Sequence, residues 1–205
     1  MINKFNIQVG VAPIGSPPKL GGGNMDGLEF TLYQKIDGVP TMRDSDIARL
    51  YQRTESAGVT RLMFDDGTIT NAREFVDHVT DFRTIFFKIS LTDKTGLGKT
   101  ETGTVGYFWL NRLEATHAYC HFMSFPEYWG DHWRNVEIGQ EAMKICLKEF
   151  PMIMGMLPTT NEIAITYLMD VGLNVVGRIP NLIWSESLQK PVEGMMLYTT
   201  MEDYE

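Results

Sequence analysis

Apolar positions recur along this chain at two spacings, and the switches between them predict its elements. EFTLYQKI, Glu29–Ile36, alternates and predicts a first strand. Over Thr41–Ser56 the spacing lengthens: Ile47, Leu50 and Tyr51 fall on the inner face of a helix capped by Thr41 or Asp44. FDDGTIT reads as an irregular, acidic break. Asn71 and Glu74 then make a capping box for a second helix through His78, with Phe75, Val76 and Val79 inward. Three strands are predicted next, RTIFFKISLT (83–92), TVGYFWLNR (104–112) and ATHAYCHFMSF (115–125), joined as antiparallel hairpins.

Helical spacing returns over Arg134–Phe150, RNVEIGQEAMKICLKEF. Ile138, Ala142, Met143, Cys146, Leu147 and Phe150 share one face, and the reading puts the helix start at Gly139. MIMGM (152–156) predicts a buried strand. Thr159 and Glu162 form a capping box for a further helix with Ile163, Ala164, Tyr167, Leu168 and Val171 inward, ended by Gly172. The tail, 173–202, predicts two strands around the polar connection SESLQKP.

Composition narrows the class. A chain of 205 residues with 43% hydrophobic content suits one domain with an appendage. The Pro- and Gly-rich stretch before Leu28 marks residues 1–27 as a flexible arm ahead of a domain at 28–205. No apolar run approaches the roughly 20 residues of a membrane span, and MINKFNIQVG lacks the build of a signal peptide. Cys120 and Cys146 lie in apolar segments without metal spacing, so free thiols in a reducing, cytoplasmic protein are expected, with no metal. The net charge of −8, with no basic run, argues against nucleic acid or an anionic membrane as partner.

Two stretches invite a phosphate. GLGKT (96–100) resembles a P-loop, but Asp93 stands where the first glycine belongs and no helix follows, so a hairpin loop is the reading. The stronger candidate is the turn into the 134–150 helix: free amides and the helix dipole at its start form an anion site, with the strand HFMSF upstream. A helix that merely caps a sheet is the plain alternative.

The order of elements from about residue 28 to 200 resembles the GNAT N-acetyltransferase superfamily, with some features of Rim-type enzymes. Arg134-Asn-Val-Glu137-Ile-Gly139 is similar to that family's Arg/Gln-x-x-Gly-x-Gly/Ala turn, with Glu137 in place of the first glycine. Asn161, Ala164 and Gly172-Leu173 match the spacing of its next helix, and Pro126-Glu-Tyr-Trp-Gly130 resembles a Rim-type Trp-Gly. The resemblance implies an α/β (α+β) fold, a mixed and mostly antiparallel central sheet flanked by helices, with acetyl-CoA as co-substrate. It implies pantetheine pairing at Phe122, Met123 and Ser124. Pyrophosphate binding falls to Arg134, Asn135, Val136, Glu137, Ile138, Gly139 and Gln140, and a further cofactor contact to Asn161. His121, which shares a strand face with His117 and Tyr119, is the candidate base, with Glu114 and Glu127 as runners-up and Tyr167 as candidate acid. Asn161 also reads as a simple helix cap, and Tyr167 as core. The implied function is acetyl transfer to an amine of a small molecule or a peptide N-terminus. The alternative is an inactive GNAT-fold protein that binds an acyl-CoA or a protein partner, and a homodimer is open.

Overall fold

The computed structural model describes residues 27–94 and 100–204, so all of the arm but Gly27, and the loop at 95–99, lie outside the described residues. Strand β1 (Leu28–Leu32) is shorter than its alternation predicts. After Leu32 the chain leaves the sheet for a small ribbon, β2 (Lys35–Ile36) and β3 (Val39–Pro40), turned by Asp37 and Gly38 at φ 51° and 81°. Thr41 closes that ribbon instead of capping a helix: its Oγ1 accepts from Gln34 N–H and donates to Leu32 O. Helix α1 (Asp44–Ser56) therefore starts after Arg43. A five-residue helix, α2 (Thr60–Phe64), just precedes the acidic break and is too short to register as a period. In α3 (Ala72–Val79), Asn71 Oδ1 accepts from the Arg73 and Glu74 amides, while Glu74 reaches back to Thr70 N–H.

The sheet strands are β4 (Ile85–Lys94), β5 (Thr100–Asn111), β6 (His117–Ser124), β7 (Met152–Pro158), β8 (Asn174–Ser185) and β9 (Lys190–Thr200), with helices α4 (His132–Leu147) and α5 (Glu162–Val171) between them. Their order is β1-β4-β5-β6-β7-β9-β8. Every pair is antiparallel except β6–β7, which gives the expected mixed, mostly antiparallel sheet flanked by helices.

Period two on β5 feeds two cores. Tyr107 and Trp109 face α1–α3 and join Tyr51, Phe64, Phe75, Phe86 and Phe125; Phe108 and Leu110 face α4 and α5 with Phe87, Ile138, Ala142 and Ile153. All of these are buried. On α5 the N-cap is Asn161 rather than Thr159, its Oδ1 accepting from Ala164 N–H at 3.3 Å. With that start Ile163 points outward, 73% exposed, and Ile165 joins Ala164, Tyr167 and Leu168 against the core. Gly172 ends the helix at φ 113°. No described helix is long and apolar enough to cross a membrane.

Candidate active site

Strands β6 and β7 run parallel only over His117–Tyr119 and Met152–Met154. Beyond that point they part: β7 continues beside β9 to Pro158, and β6 continues beside β5 to Ser124. The side of β6 turned toward β7 thus carries backbone N–H and C=O groups from Cys120 onward without a ladder partner, in the middle of the sheet. Such groups need partners. At the far end Ser124 has found one, since Trp129 Nε1–H donates to Ser124 O at 3.0 Å and to its Oγ at 3.1 Å.

At the mouth of this cleft stands the foot of α4. The helix begins at His132, not at Gly139, which corrects the expected turn. The cause is local: Pro126 opens a 3₁₀ turn (Pro126–Tyr128), Gly130 follows, and Asp131 caps the helix, its Oδ1 accepting from Arg134 N–H at 3.1 Å. Asn135 N–H already bonds to Asp131 O, so the amides of Val136, Glu137, Ile138, Gly139 and Gln140 lie inside the helix, where the i→i−4 ladder uses them. They cannot cradle a phosphate. Glu137 is exposed, while Asn135, Val136, Ile138 and Gly139 are buried. Gly139 instead lets α5 approach: a Cβ there would lie 2.4 Å from Tyr167 Oη and 2.6 Å from Val171 Cγ2. The open amides of the first turn belong to His132 and Trp133. His132 Nε2 pairs with Asp170 at 2.8 Å. A cavity of about 140 Å³ lies beside the foot, lined by Glu127, Tyr128, Asp131, Arg134, Asn135 and Ile138.

The side chains expected to do chemistry are held. His121 lies flat on Trp109, ring centroids 4.6 Å apart and planes within 3°, and its Nε2 meets Asn111 Oδ1 at 3.3 Å. Burial, helped by His78 and Arg112 and opposed by Asp66, takes its pKa down to about 4. Glu127 is bound by Arg53, whose guanidinium also donates to Thr104 O and stacks 3.7 Å over the Phe125 ring. Burial pushes the Glu127 carboxyl up, but the Arg53 hydrogen bond, a backbone hydrogen bond and the Arg53 charge together more than reverse this, and the group stays below the usual carboxylate range. Tyr167 stacks on Phe122 at 5.6 Å and donates to Asn135 O at 3.1 Å, with its pKa driven far up by burial. Phe122 sends its ring into the α4–α5 core, and Met123 and Ser124 are buried.

Across the cleft, one carboxylate ties the last hairpin to α2. Asp65 accepts from Ser185 Oγ at 2.5 Å and from Ser187 N–H at 3.0 Å, and its carbonyl takes Glu186 N–H. The β8–β9 ladder is broken between Ile179 and Ile183, so the outer half of the hairpin can swing over to meet α2. Phe64, next to this clasp, stacks on Trp109, which stacks on His121.

No family model and no curated protein matches this sequence. Solved structures do match in fold. The spermidine N-acetyltransferase of Vibrio cholerae in complex with CoA and spermine superposes with a TM-score of 0.63 at 12% identity, over 87% of this chain and 98% of that one. An acetyltransferase of the GNAT family from Bacillus anthracis gives 0.61 at 13% identity, over 86% and 96%. The ribosomal-protein-S5-alanine acetyltransferase of Vibrio fischeri gives 0.62 at 11% identity, over 89% and 98%. The chain has the GNAT fold.

Two features of this GNAT fold bear on whether coenzyme A suits it. The open edge of β6 offers backbone to a pantetheine amide chain, and a Cβ at Gly130 would meet nothing within 4 Å, so the turn into α4 is open. The residues fit on these two counts, with one tension: the Asp131 carboxylate already holds one first-turn amide and puts a negative charge where a phosphate would come. The residues that sequence reasoning missed are Asp131, Arg53 and Asp65, while Trp129 entered only within the Rim-type Trp-Gly resemblance, without a role. Of the missed residues Asp131 alone left a signal, an N-cap residue type three before Arg134 and just after a glycine. Arg53 and Asp65 act across 51 to 122 residues of sequence separation.

Proposed function

We propose that this protein is an N-acetyltransferase that moves the acetyl group of acetyl-CoA to an amine of a small molecule or a peptide N-terminus. The observation that carries this reading is the parting of β6 from β7 beside the open first turn of α4. It leaves a run of unpaired backbone next to a helix N-terminus, which suits a ligand with amides along one part and phosphates at one end. The fold neighbours named as spermidine and ribosomal-protein acetyltransferases support an amine acceptor.

Acetyl-CoA as substrate supplies an activated thioester, and the chain's work is mainly positioning. Unpaired N–H and C=O groups between Cys120 and Met123 would hold the pantetheine, the His132 and Trp133 amides with Arg134 would hold the pyrophosphate, and Asn161 stands at the start of α5. Backbone donors near the thioester carbonyl would stabilise its developing charge. Calorimetric titration with acetyl-CoA and CoA tests the reading, followed by release of free thiol with an amine panel. Binding and amine-dependent thiol release are expected; absence of binding refutes it.

A second reading, a GNAT-fold protein that binds an acyl-CoA without catalysis, draws on the engaged state of His121, Glu127 and Tyr167. It expects binding without thiol release by any amine.

A further inference from the structure

Period two gives β6, β7 and β9 two faces with different fates. Ile153, Leu157, Met195 and Leu197 enter the core under α4 and α5. The alternate positions share the face on which Trp109 and His121 stack. Met154 lies between Tyr119 and Tyr198 in one row across the three strands, and Met156 lies beside Met196 in the next. Among the described residues, the core under α1–α3 takes side chains from β4, β5 and β6 but none from β7 or β9. Met152, Met154, Met156, Met196, Tyr119 and Tyr198 are therefore left half-buried, in neither core. Side chains of this size in adjoining rows form a patch, unlike apolar residues scattered singly over a surface.

The patch borders the cleft. Tyr119–Met154 is the last rung of the β6–β7 ladder, and Met156 lies just beyond it, where the strands have parted. Helices α4 and α5 pack on the other face, so an amine approaching the cleft from the uncovered side passes over these residues. No Asp, Glu, Lys or Arg occupies this face on β6, on β7 or on the part of β9 paired with β7. Its titratable groups are His117, His121 and the two tyrosines. At its border the Arg112 guanidinium lies 5.1 Å over the Tyr119 ring, and Asp66 and His78 act on His121. Granting acetyl transfer, we propose that the acceptor is an amine with an apolar neighbouring group, an aromatic or long aliphatic side chain. That group lies on Met154, Met156 and Met196 while the nitrogen points into the parting of β6 and β7. Thioether side chains are unbranched and polarizable, and fit apolar groups of varied shape. The nitrogen–carbonyl bond forms as the carbon–sulfur bond breaks, one N–H proton ends on the sulfur, and coenzyme A leaves as its thiol.

The test follows thiol release from acetyl-CoA with acceptors matched in amine type. Phenylalanine-initiated tetrapeptide amides are set against alanine- and aspartate-initiated ones of otherwise identical sequence, and 2-phenylethylamine against spermidine. The expected kcat/KM is about tenfold higher for the phenylalanine peptide than for the alanine peptide, mainly through KM. It is also higher for 2-phenylethylamine than for spermidine. Met156→Glu should erase both preferences, and Met156→Leu should keep them. Methionine-methyl NMR with CoA present reads the contact without turnover. Adding 2-phenylethylamine should shift the Met154, Met156 and Met196 methyls and leave that of Met143, buried under α4, in place. Equal kcat/KM within each set, a preference for the aspartate peptide or spermidine, or unshifted methyls on this face would overturn the inference. Acetyl-CoA binding without thiol release from any acceptor would refute acetyl transfer itself, and the inference with it.

Discussion

The two faces of the sheet do opposite things with their polar groups. The face under α1–α3 is built from rings, and its polar side chains are consumed: Thr54 holds Tyr107 at 2.8 Å, Arg53 holds Glu127, and Asn111 holds His121. The exception there is Trp109 Nε1, buried without a hydrogen-bond partner. The face under α4 and α5 borders the cleft, where what stands open is backbone, the β6 edge beyond Tyr119 and the first amides of α4, together with the buried Asn135 Oδ1, which has no hydrogen-bond partner among the described residues. Side chains rigidify one half, and the other keeps main chain without a ladder partner. On the proposed function, a thioester would be recognised by that main chain with little demand on side-chain identity, which is compatible with a shared fold at 10–13% identity.

The ring-built face should break most severely. Phe75 is fully buried and contacts Tyr51, Phe64, Phe86, Tyr107 and Trp109, so Phe75→Ala should cost about 4 kcal/mol in urea unfolding. On the other face, Gly139→Leu drives a side chain into Tyr167 and Val171 and should cost about 3 kcal/mol. It should loosen α5 without touching the rings, which tryptophan fluorescence can check.

Titration sharpens the same contrast. His121 has a folded pKa of about 4 against an ordinary 6.5, so between these values the unfolded chain binds more protons than the folded one. Its contribution is fully present above about pH 6.5 and is lost as pH falls toward 4, a decline of about 2 to 3 kcal/mol in this group's share. Unfolding curves from pH 7 to 4 should therefore flatten in His121→Leu. Next in size is the clasp. Asp65→Ala removes the carboxylate that accepts from buried Ser185 Oγ and from Ser187 N–H and should cost about 2 kcal/mol, with faster hydrogen exchange confined to 185–189 and the end of α2. Smallest is Asp131→Ser. Serine keeps an N-cap while removing the carboxylate, so CoA affinity should rise about tenfold, or 1.4 kcal/mol, with little change in stability.

Much of the fold was legible because burial leaves a period. The strands at 83–125, the inward face of α4 from Ile138 to Leu147 and the closing hairpin all follow from spacing, though the helix ends before Phe150, which is buried beyond it. What failed was local competition. Thr41 serves the β2–β3 ribbon and so is lost as a helix cap, and Asn161 outcompetes Thr159 at α5. The same cause displaced the turn into α4: Gly139 reads as a turn glycine, yet its missing Cβ serves α5 packing, and the turn lies earlier, between Tyr128 and Trp133. The Trp129-Gly130 resemblance pointed there, while the match at Arg134–Gly139 pointed inside the helix. The candidate base and acid were legible as residue types. Their partners Arg53, Asn111 and the Asn135 carbonyl were not, because a hydrogen bond between distant segments leaves no pattern in either one.

The central claim, that backbone between β6 and β7 receives the acyl donor, is tested most directly by amide hydrogen exchange with and without acetyl-CoA. Slower exchange at Cys120–Met123 and at His132–Trp133, with Tyr51 and Phe75 amides unchanged, is the predicted result. Unchanged exchange along β6 under saturating acetyl-CoA would contradict it.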